Sequence, residues 1–336
     1  MRCKLFLYCF ALCLVPQTGN CQSDILSSLK ELYPVGEPAT MSYRTPFIAR
    51  EKMVFDAAPV VRYSFYSTIR RALERGDTTG FGVYAAFKPH LRLYDDASYP
   101  VRTPSYRIQL GAQYMWRVHG NDLFTIALES GHYSNGQDQC AFAEGIADGS
   151  PQCDSVYQTL STSSDLSGLL NRSSGNFSTN LTELHFNYRL NRQPVNRVPR
   201  HMASFRLGLV YYHNKFWGLF DFGGYTDADI KIYGHYRWQA GLEYTRYFPM
   251  RHPLFLTVGQ QLECITGSDY DAINPWRSET TVAVYPWNDK IGFGIFASFI
   301  AGHDNYNFRF VDNGSQLAVG ICWSPFLPTK LWTVPQ

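Results

Sequence analysis

The 336 residues carry 30 Lys plus Arg against 28 Asp plus Glu, a formal net charge of +2. The chain therefore lacks polyelectrolyte character, and nucleic acid is excluded as a partner. Only 17% of residues are charged, against about 25% in ordinary soluble domains, and 16% are aromatic, a mixture that suits an all-β protein whose surface is not wholly wetted.

The first segment, MRCKLFLYCFALCLVPQTGNCQ, places Arg2 and Lys4 before an apolar run from Leu5 to Val15, followed by small and polar residues. That is the layout of a secretory signal peptide. Cleavage is expected after Cys21, with Gly19 at the third position back; a lipoprotein alternative would acylate Cys21. Residues 22–53 read as a periplasmic extension, 54–325 as a barrel and 326–336 as a tail. Beyond the leader no segment approaches the roughly 20 apolar residues of a membrane helix. Entry into a membrane would then require a closed barrel, because open sheet edges leave unpaired backbone groups in lipid.

Several segments alternate with period two. In SYRIQLGAQYMWRV, Tyr106, Ile108, Leu110, Ala112, Tyr114 and Trp116 share one face, opposite Arg107, Gln109, Gln113 and Arg117. YRWQAGLEYTRYF and ASFRLGLVYY repeat the split, with Arg237, Glu243 and Arg206 on the polar side. These runs exceed the 5 to 6 residues usual in soluble sheets, and aromatics sit near the ends of the oily face. A transmembrane barrel needs that arrangement: an apolar band, aromatic girdles and a polar lumen.

Candidate strands lie near 80–93, 104–118, 122–134, 176–191, 202–213, 232–248, 254–265, 279–287, 291–301, 305–311 and 315–324, with another near 56–66. The prediction is an antiparallel transmembrane β-barrel of about 10–12 strands in a bacterial outer membrane. HGND and VDNGSQ read as tight periplasmic turns, and the Ser-rich stretch 136–175 as a long extracellular loop. Within it Cys140 and Cys153 are expected to pair in an oxidising exterior. Cys264 and Cys322 have parities that point them to opposite sides of the wall, so no bond is expected there. No C-x-x-C or H-x-x-x-H spacing marks a zinc site. NRS, NFS and NLT near 171–182 match the glycosylation sequon and are read as coincidence in a bacterial outer-membrane protein.

The stretch LESGHYSNGQ ends a strand whose even positions, Ile126, Leu128, Ser130, His132 and Ser134, share one face. On the return strand Leu184, Phe186, Tyr188 and Leu190 carry the same parity back to Thr182 and Asn180. If the apolar members face lipid, a serine, an imidazole and an amide stand with them. A hydroxyl, a base to take its proton and a group to orient the base form an acyl-transfer constellation. Lumen-side Arg107, Arg117, Glu129, Glu183, Arg189, Arg206 and Glu243 read instead as an interior network that fills a small barrel.

At HYSNG and STN the chain resembles the outer-membrane phospholipase A family, whose signature is H-x-S-N-G followed on the next strand by S-x-N. The terminal YNFRFVDNGSQLAVGICW also resembles that family's last hairpin. The resemblance implies His132 as general base, Ser134 as nucleophile and Asn180 as the residue holding the imidazole tautomer. It further implies oxyanion stabilisation by backbone N–H groups near Asn135 and Gly136. Asn176 shares the parity of Asn180 and stays open as its rival. Where the family carries an arginine used with nearby serines for calcium, this chain has Gln137, which leaves calcium as cofactor and a homodimer as open expectations. The implied substrate is a membrane lipid in the outer leaflet. Alternatives are a lipid A deacylase, whose third residue is typically a glutamate, and a structural or transport barrel.

Overall fold

A computed structural model describes residues 40–49, 51–95, 101, 103–119, 122–195, 198–217, 219–220, 222–286 and 292–324. The expected signal peptide and C-terminal tail lie outside these residues. Thirteen strands follow in chain order. They are β1 (Thr40–Ile48), β2 (Met53–Ala58), β3 (Val61–Ser67), β4 (Thr79–Tyr94), β5 (Ser105–Arg117), β6 (Leu123–Ser134), β7 (Ser178–Val195) and β8 (Val198–His213). Then come β9 (Tyr236–Phe248), β10 (Leu254–Thr266), β11 (Trp276–Tyr285), β12 (Phe293–His303) and β13 (Asn313–Trp323).

Neighbours pair antiparallel along the chain, β13 returns to β1, and β2 pairs with β4, which closes the ring. β2 and β3 both lie against β4, facing its residues 91–94 and 82–87 respectively. Pro59, which has no N–H to give a ladder, separates them. Together they make one broken stave, and the barrel has 12 strands. Closure matters physically because it leaves no unpaired backbone edge in the hydrocarbon region.

The outer wall is apolar: Ile108, Leu110, Leu128, Leu207, Leu242 and Ile295 are all exposed. Aromatic bands flank it, with Trp116, Phe205, Tyr244 and Phe293 toward one rim and Tyr106, Tyr236, Trp238 and Trp276 toward the other. On β5, β6 and β7 the odd positions turn inward and on β4 the even ones do; there Lys88 donates to Glu129 (2.5 Å) and Glu183 (3.4 Å), Tyr84 donates to Glu129 (2.6 Å), and Arg107 donates to Glu183 (3.3 Å). Glu129 and Glu183 are buried, so these cations neutralise carboxylates that would otherwise be costly to desolvate. The lumen is packed with side chains, as the polar parity of the sequence implied.

One rim carries short connections; at one of them the Asp122 N–H donates to the His119 carbonyl. The other carries residues 135–177, 214–217, 222–235, 267–275 and 304–312, which fold together as a cap. Helices α2 (Pro151–Thr159), α3 (Leu166–Leu169) and α4 (Asp227–Tyr233) stand here, while α1 (Ile69–Arg75) lies between β3 and β4. α2 starts at Ser150, whose hydroxyl accepts from the Cys153 N–H, with proline in the first helical turn. α4 starts in a reciprocal capping box between Thr226 and Asp229. Phe142, Leu166, Phe177, Tyr233, Phe308 and Phe310 form the buried core of the cap, and Cys140 and Cys153 are disulfide-bonded within it.

Three expectations need correction. Residues 40–48, assigned to a periplasmic extension, form β1, a barrel strand registered against β13 from Met41↔Trp323 onward. Its alternation is masked by Pro46, where a bulge shifts the register. Residues 305–311 are not a strand. Asn307 has φ +52, which breaks an extended run, and Arg309–Val311 form a single 3-10 turn. The Phe308 and Phe310 rings sink into the cap instead of lining a wall. VDNGSQ accordingly starts β13 at the rim that carries the long loop, not the opposite one: Arg172 of that loop donates to Asp312 at 2.5 and 2.8 Å.

Candidate active site on the outer wall

The ladder between β6 and β7 puts His132 directly opposite Asn180 and Ser134 opposite Ser178. Both pairs have the parity of lipid-facing Leu128, so the imidazole stands on the outside of the barrel at the capped rim. His132 Nδ1 lies 3.0 Å from Asn180 Oδ1. The Asn180 amide cannot be turned over at no cost, because its Nδ2 donates to the carbonyls of Phe222 (2.7 Å) and Asn214 (3.3 Å). Those two acceptors fix Oδ1 toward the ring. His132 Nδ1 must then carry the proton, and Nε2 is left as the basic nitrogen.

Asn180 is fully buried although it sits on the outer wall. What covers it is the segment after β8. The Phe222 ring centroid lies 5.2 Å from that of His132, and the Gly223 carbonyl accepts from Ser178 Oγ at 2.6 Å. Gly223 has φ +53, and a Cβ built there would lie 2.6 Å from His132 Cε1. Glycine is therefore required twice over, for the left-handed backbone and for close approach to the ring.

Ser134 is half-buried, two residues beyond His132 on the same face of β6. Its hydroxyl forms no hydrogen bond with His132 among the described residues. Rotation about one side-chain bond changes the reach of a serine, and catalytic contacts commonly tighten only when substrate is bound. The two proposed oxyanion donors differ. The Asn135 N–H is already given to the Phe177 carbonyl at 3.0 Å, and its side chain staples the loop to β7 through Phe177 N, Gln137 N and Gly175 O. The Asn135 N–H thus does not serve as expected. Gly136 is exposed at φ +67 with open space around it. Asn176 donates to Asp148 at 2.6 Å inside the loop, which removes it as the rival of Asn180. Asn171 and Asn180 are buried and hold loop carbonyls, so the NRS and NLT sequons present no accessible amide.

Calcium takes six to eight oxygens, largely from carboxylates. Beside the rim, Ser134, Ser178 and Gln137 have neutral side-chain oxygens. Among the described residues no carboxylate pairs with His132, Ser134 or Ser178. One described trio, Glu129, Glu183 and His185, has ligand atoms within 4.8 Å of one another. It lies in the lumen, where Lys88 and Arg107 already engage the carboxylates. Neither set fits the ion. Cys264 and Cys322 are free thiols.

No family model and no curated protein matches the chain by sequence. Among solved structures it is similar to outer membrane phospholipase A from Escherichia coli, at 11% identity and a TM-score of 0.49, over 90% of this chain and 98% of that one. It is also similar to the Salmonella typhi outer membrane phospholipase dimer with bound calcium, at 11% identity and TM-score 0.48, over 90% and 98%. LpxR from Salmonella typhimurium aligns at 9% identity and TM-score 0.36, over 86% and 100%. The alternating walls and the closed ring already described make the chain a transmembrane-type antiparallel β-barrel.

Proposed function

We propose that this barrel is a serine esterase of the phospholipase A type, which hydrolyses acyl esters of phospholipids reaching it sideways from the outer leaflet. The observation that carries the reading is the His132–Asn180 pair, tautomer-fixed and turned toward lipid. A buried amide and an imidazole on an oily wall are costly without a purpose, and here they leave Nε2 as a base beside a serine of the same face.

The chemistry follows from those atoms. Ser134 Oγ attacks the ester carbonyl carbon while its proton passes to His132 Nε2. The Nδ1–H stays on Asn180 Oδ1 and keeps the ring oriented. The carbonyl electrons move onto oxygen, toward the Gly136 N–H. The C–O bond then breaks, and the imidazolium returns its proton to the departing glycerol oxygen. Water, giving a proton to the same Nε2, attacks the acyl-serine carbonyl; the acyl–Oγ bond breaks, the imidazolium returns its proton to Ser134 Oγ, and free fatty acid departs. No step uses calcium. With the long loops outside the cell, the site sits at outer-leaflet headgroup depth.

A lipid A deacylase with a glutamate as third residue is not favoured, since Glu129 and Glu183 turn into the lumen. Fatty acid release from phosphatidylethanolamine in mixed micelles tests the proposal. The wild type should hydrolyse the lipid, and Ser134→Ala and His132→Ala should each lose about a thousandfold or more. Full activity in Ser134→Ala removes the nucleophile; release from lipid A alone redirects the substrate.

A further inference from the structure

At the rim opposite the cap, the outer wall of β7, β8 and β9 ends in a row of three basic side chains. The ladder registers Arg192 against His201 and His201 against Arg246. All three share the outward parity of the rows that follow toward the bilayer centre: Leu190↔Ala203↔Tyr244, then Tyr188↔Phe205↔Leu242, then Phe186↔Leu207↔Ala240. Alternate residues on a strand are about 7 Å apart, so this wall passes from aliphatic through aromatic to basic within about 20 Å along the strand.

The charges of the row do not cancel. Arg192 donates to Asp122 Oδ2 at 2.8 Å, and Asp122, buried and also bonded to the Asn191 N–H at 2.9 Å, has its charge matched there. Arg246 is exposed, lies 4.7 Å from the centroid of the Phe248 ring, and forms no ion pair among the described residues. His201 Nδ1 sits 2.6 Å from the Tyr244 hydroxyl, which ties the imidazole to the aromatic girdle. Arg251 and His252 stand exposed in the connection after β9. Basic residues beside such a girdle are the chemistry that engages lipid headgroups.

We infer that this row is a headgroup site for a net-anionic phospholipid in the leaflet at the short-connection rim, its phosphate between Arg246 and His201 and a fatty chain running up the wall across Ala203. The occupant is a lipid because the row continues the lipid-facing wall without a break. It is net anionic because an ethanolamine ammonium would need a carboxylate, and Asp122 is buried and committed to Arg192. Ala203, the smallest member of its row, leaves a shallow place between Leu190 and Tyr244. Arg192 and Asn180 lie at opposite ends of β7, about 40 Å apart along the strand, so this lipid is not one presented to His132. The inference goes beyond the proposed function and does not depend on it.

The test uses the full-length Ser134→Ala protein, so that no lipid is consumed, with equal amounts of phosphatidylglycerol and phosphatidylethanolamine in detergent. Native mass spectrometry should find phosphatidylglycerol retained in preference. Arg246→Gln should reduce that preference about fivefold, the worth of one cation near a lipid surface, and Arg246→Lys should keep most of it. Arg71→Gln removes an exposed arginine of α1, which β5 and β6 separate from the row, and should leave the preference unchanged. Heat-modifiable gel migration checks that each barrel is folded, and Arg251→Gln, expected to act in the same direction, replaces Arg246→Gln where that variant is not. Equal retention of the two lipids overturns the inference, as does an equal loss in Arg71→Gln or a preference untouched by the variants of the row. Displacement by millimolar inorganic phosphate also overturns it, by making the row a site for free anions. Hydrolysis enters none of these readouts, so the esterase and the headgroup site stand or fall separately.

Discussion

His132 Nδ1 faces Asn180 Oδ1 at 3.0 Å across one ladder position of β6 and β7, and the amide is locked by two main-chain carbonyls on its far side. The pair therefore links the proposed base to the loop that roofs it. Asn180→Ala should remove both functions at once: roughly a 100-fold fall in kcat from the misoriented ring, together with faster proteolysis after β8, where the Phe222 and Asn214 carbonyls lose their donor. Initial rates and limited proteolysis on one preparation check this, and a variant that keeps full kcat counts against the tautomer role.

Gly223 offers a cleaner perturbation. Gly223→Ala would drive a methyl against His132 Cε1, with 2.6 Å available. The expected result is a fall of about 10- to 100-fold in esterase rate with an unchanged barrel on heat-modifiable gels. A rate equal to wild type would mean that the imbalance is absorbed by the loop rather than by the ring.

Inside the barrel, Glu129 accepts from Lys88 and Tyr84 at once. Glu129→Ala takes from a buried ammonium its 2.5 Å carboxylate partner and should cost about 3–5 kcal/mol, read as a lower urea midpoint for unfolding from vesicles. Leu128→Ala, one residue away on the lipid face, removes no ion pair and should shift that midpoint far less.

The cap should respond to acid. Burial works to raise the Asp312 carboxyl, but hydrogen bonds from Arg172 and Ser167 and the charge of Arg309 hold it below the usual carboxylate range. A folded-state value lower than the unfolded one means a contribution fully present above the ordinary carboxylate range, about pH 4, and lost as pH falls below it. Hydrogen exchange in residues 135–177 should therefore accelerate on acidification below that point. Asp312→Asn should exchange fast throughout and lose most of the pH dependence.

Much of the wall was readable before any fold was known. Period-two alternation assigned lumen and lipid faces on β5, β6, β7, β8 and β9, because one strand residue in two must meet each solvent. The same parity put His132, Ser134 and Asn180 on one side. It could not separate Asn180 from Asn176, since both are even, and only the register, His132↔Asn180, does so. Nor could it find β1, where Pro46 and a bulge interrupt the pattern. Residues 305–311 alternate like a strand, yet their aromatics pack into a cap built from segments far apart in sequence.

The segment FWGLFDFGGY, rich in aromatics and ending in two glycines soon after β8, carries a local signal for a close approach of backbone. It is Gly223 and Phe222 that enclose the imidazole.

What the sequence determined by itself was the chemistry of each face: alternation is local, and the choice between lipid and lumen is made residue by residue. What only the tertiary structure decided was adjacency. The direction of the Asn180 amide, the engagement of the Asn135 N–H and the roof over His132 each depend on backbone carbonyls from other strands and loops, and no local pattern encodes where those carbonyls arrive.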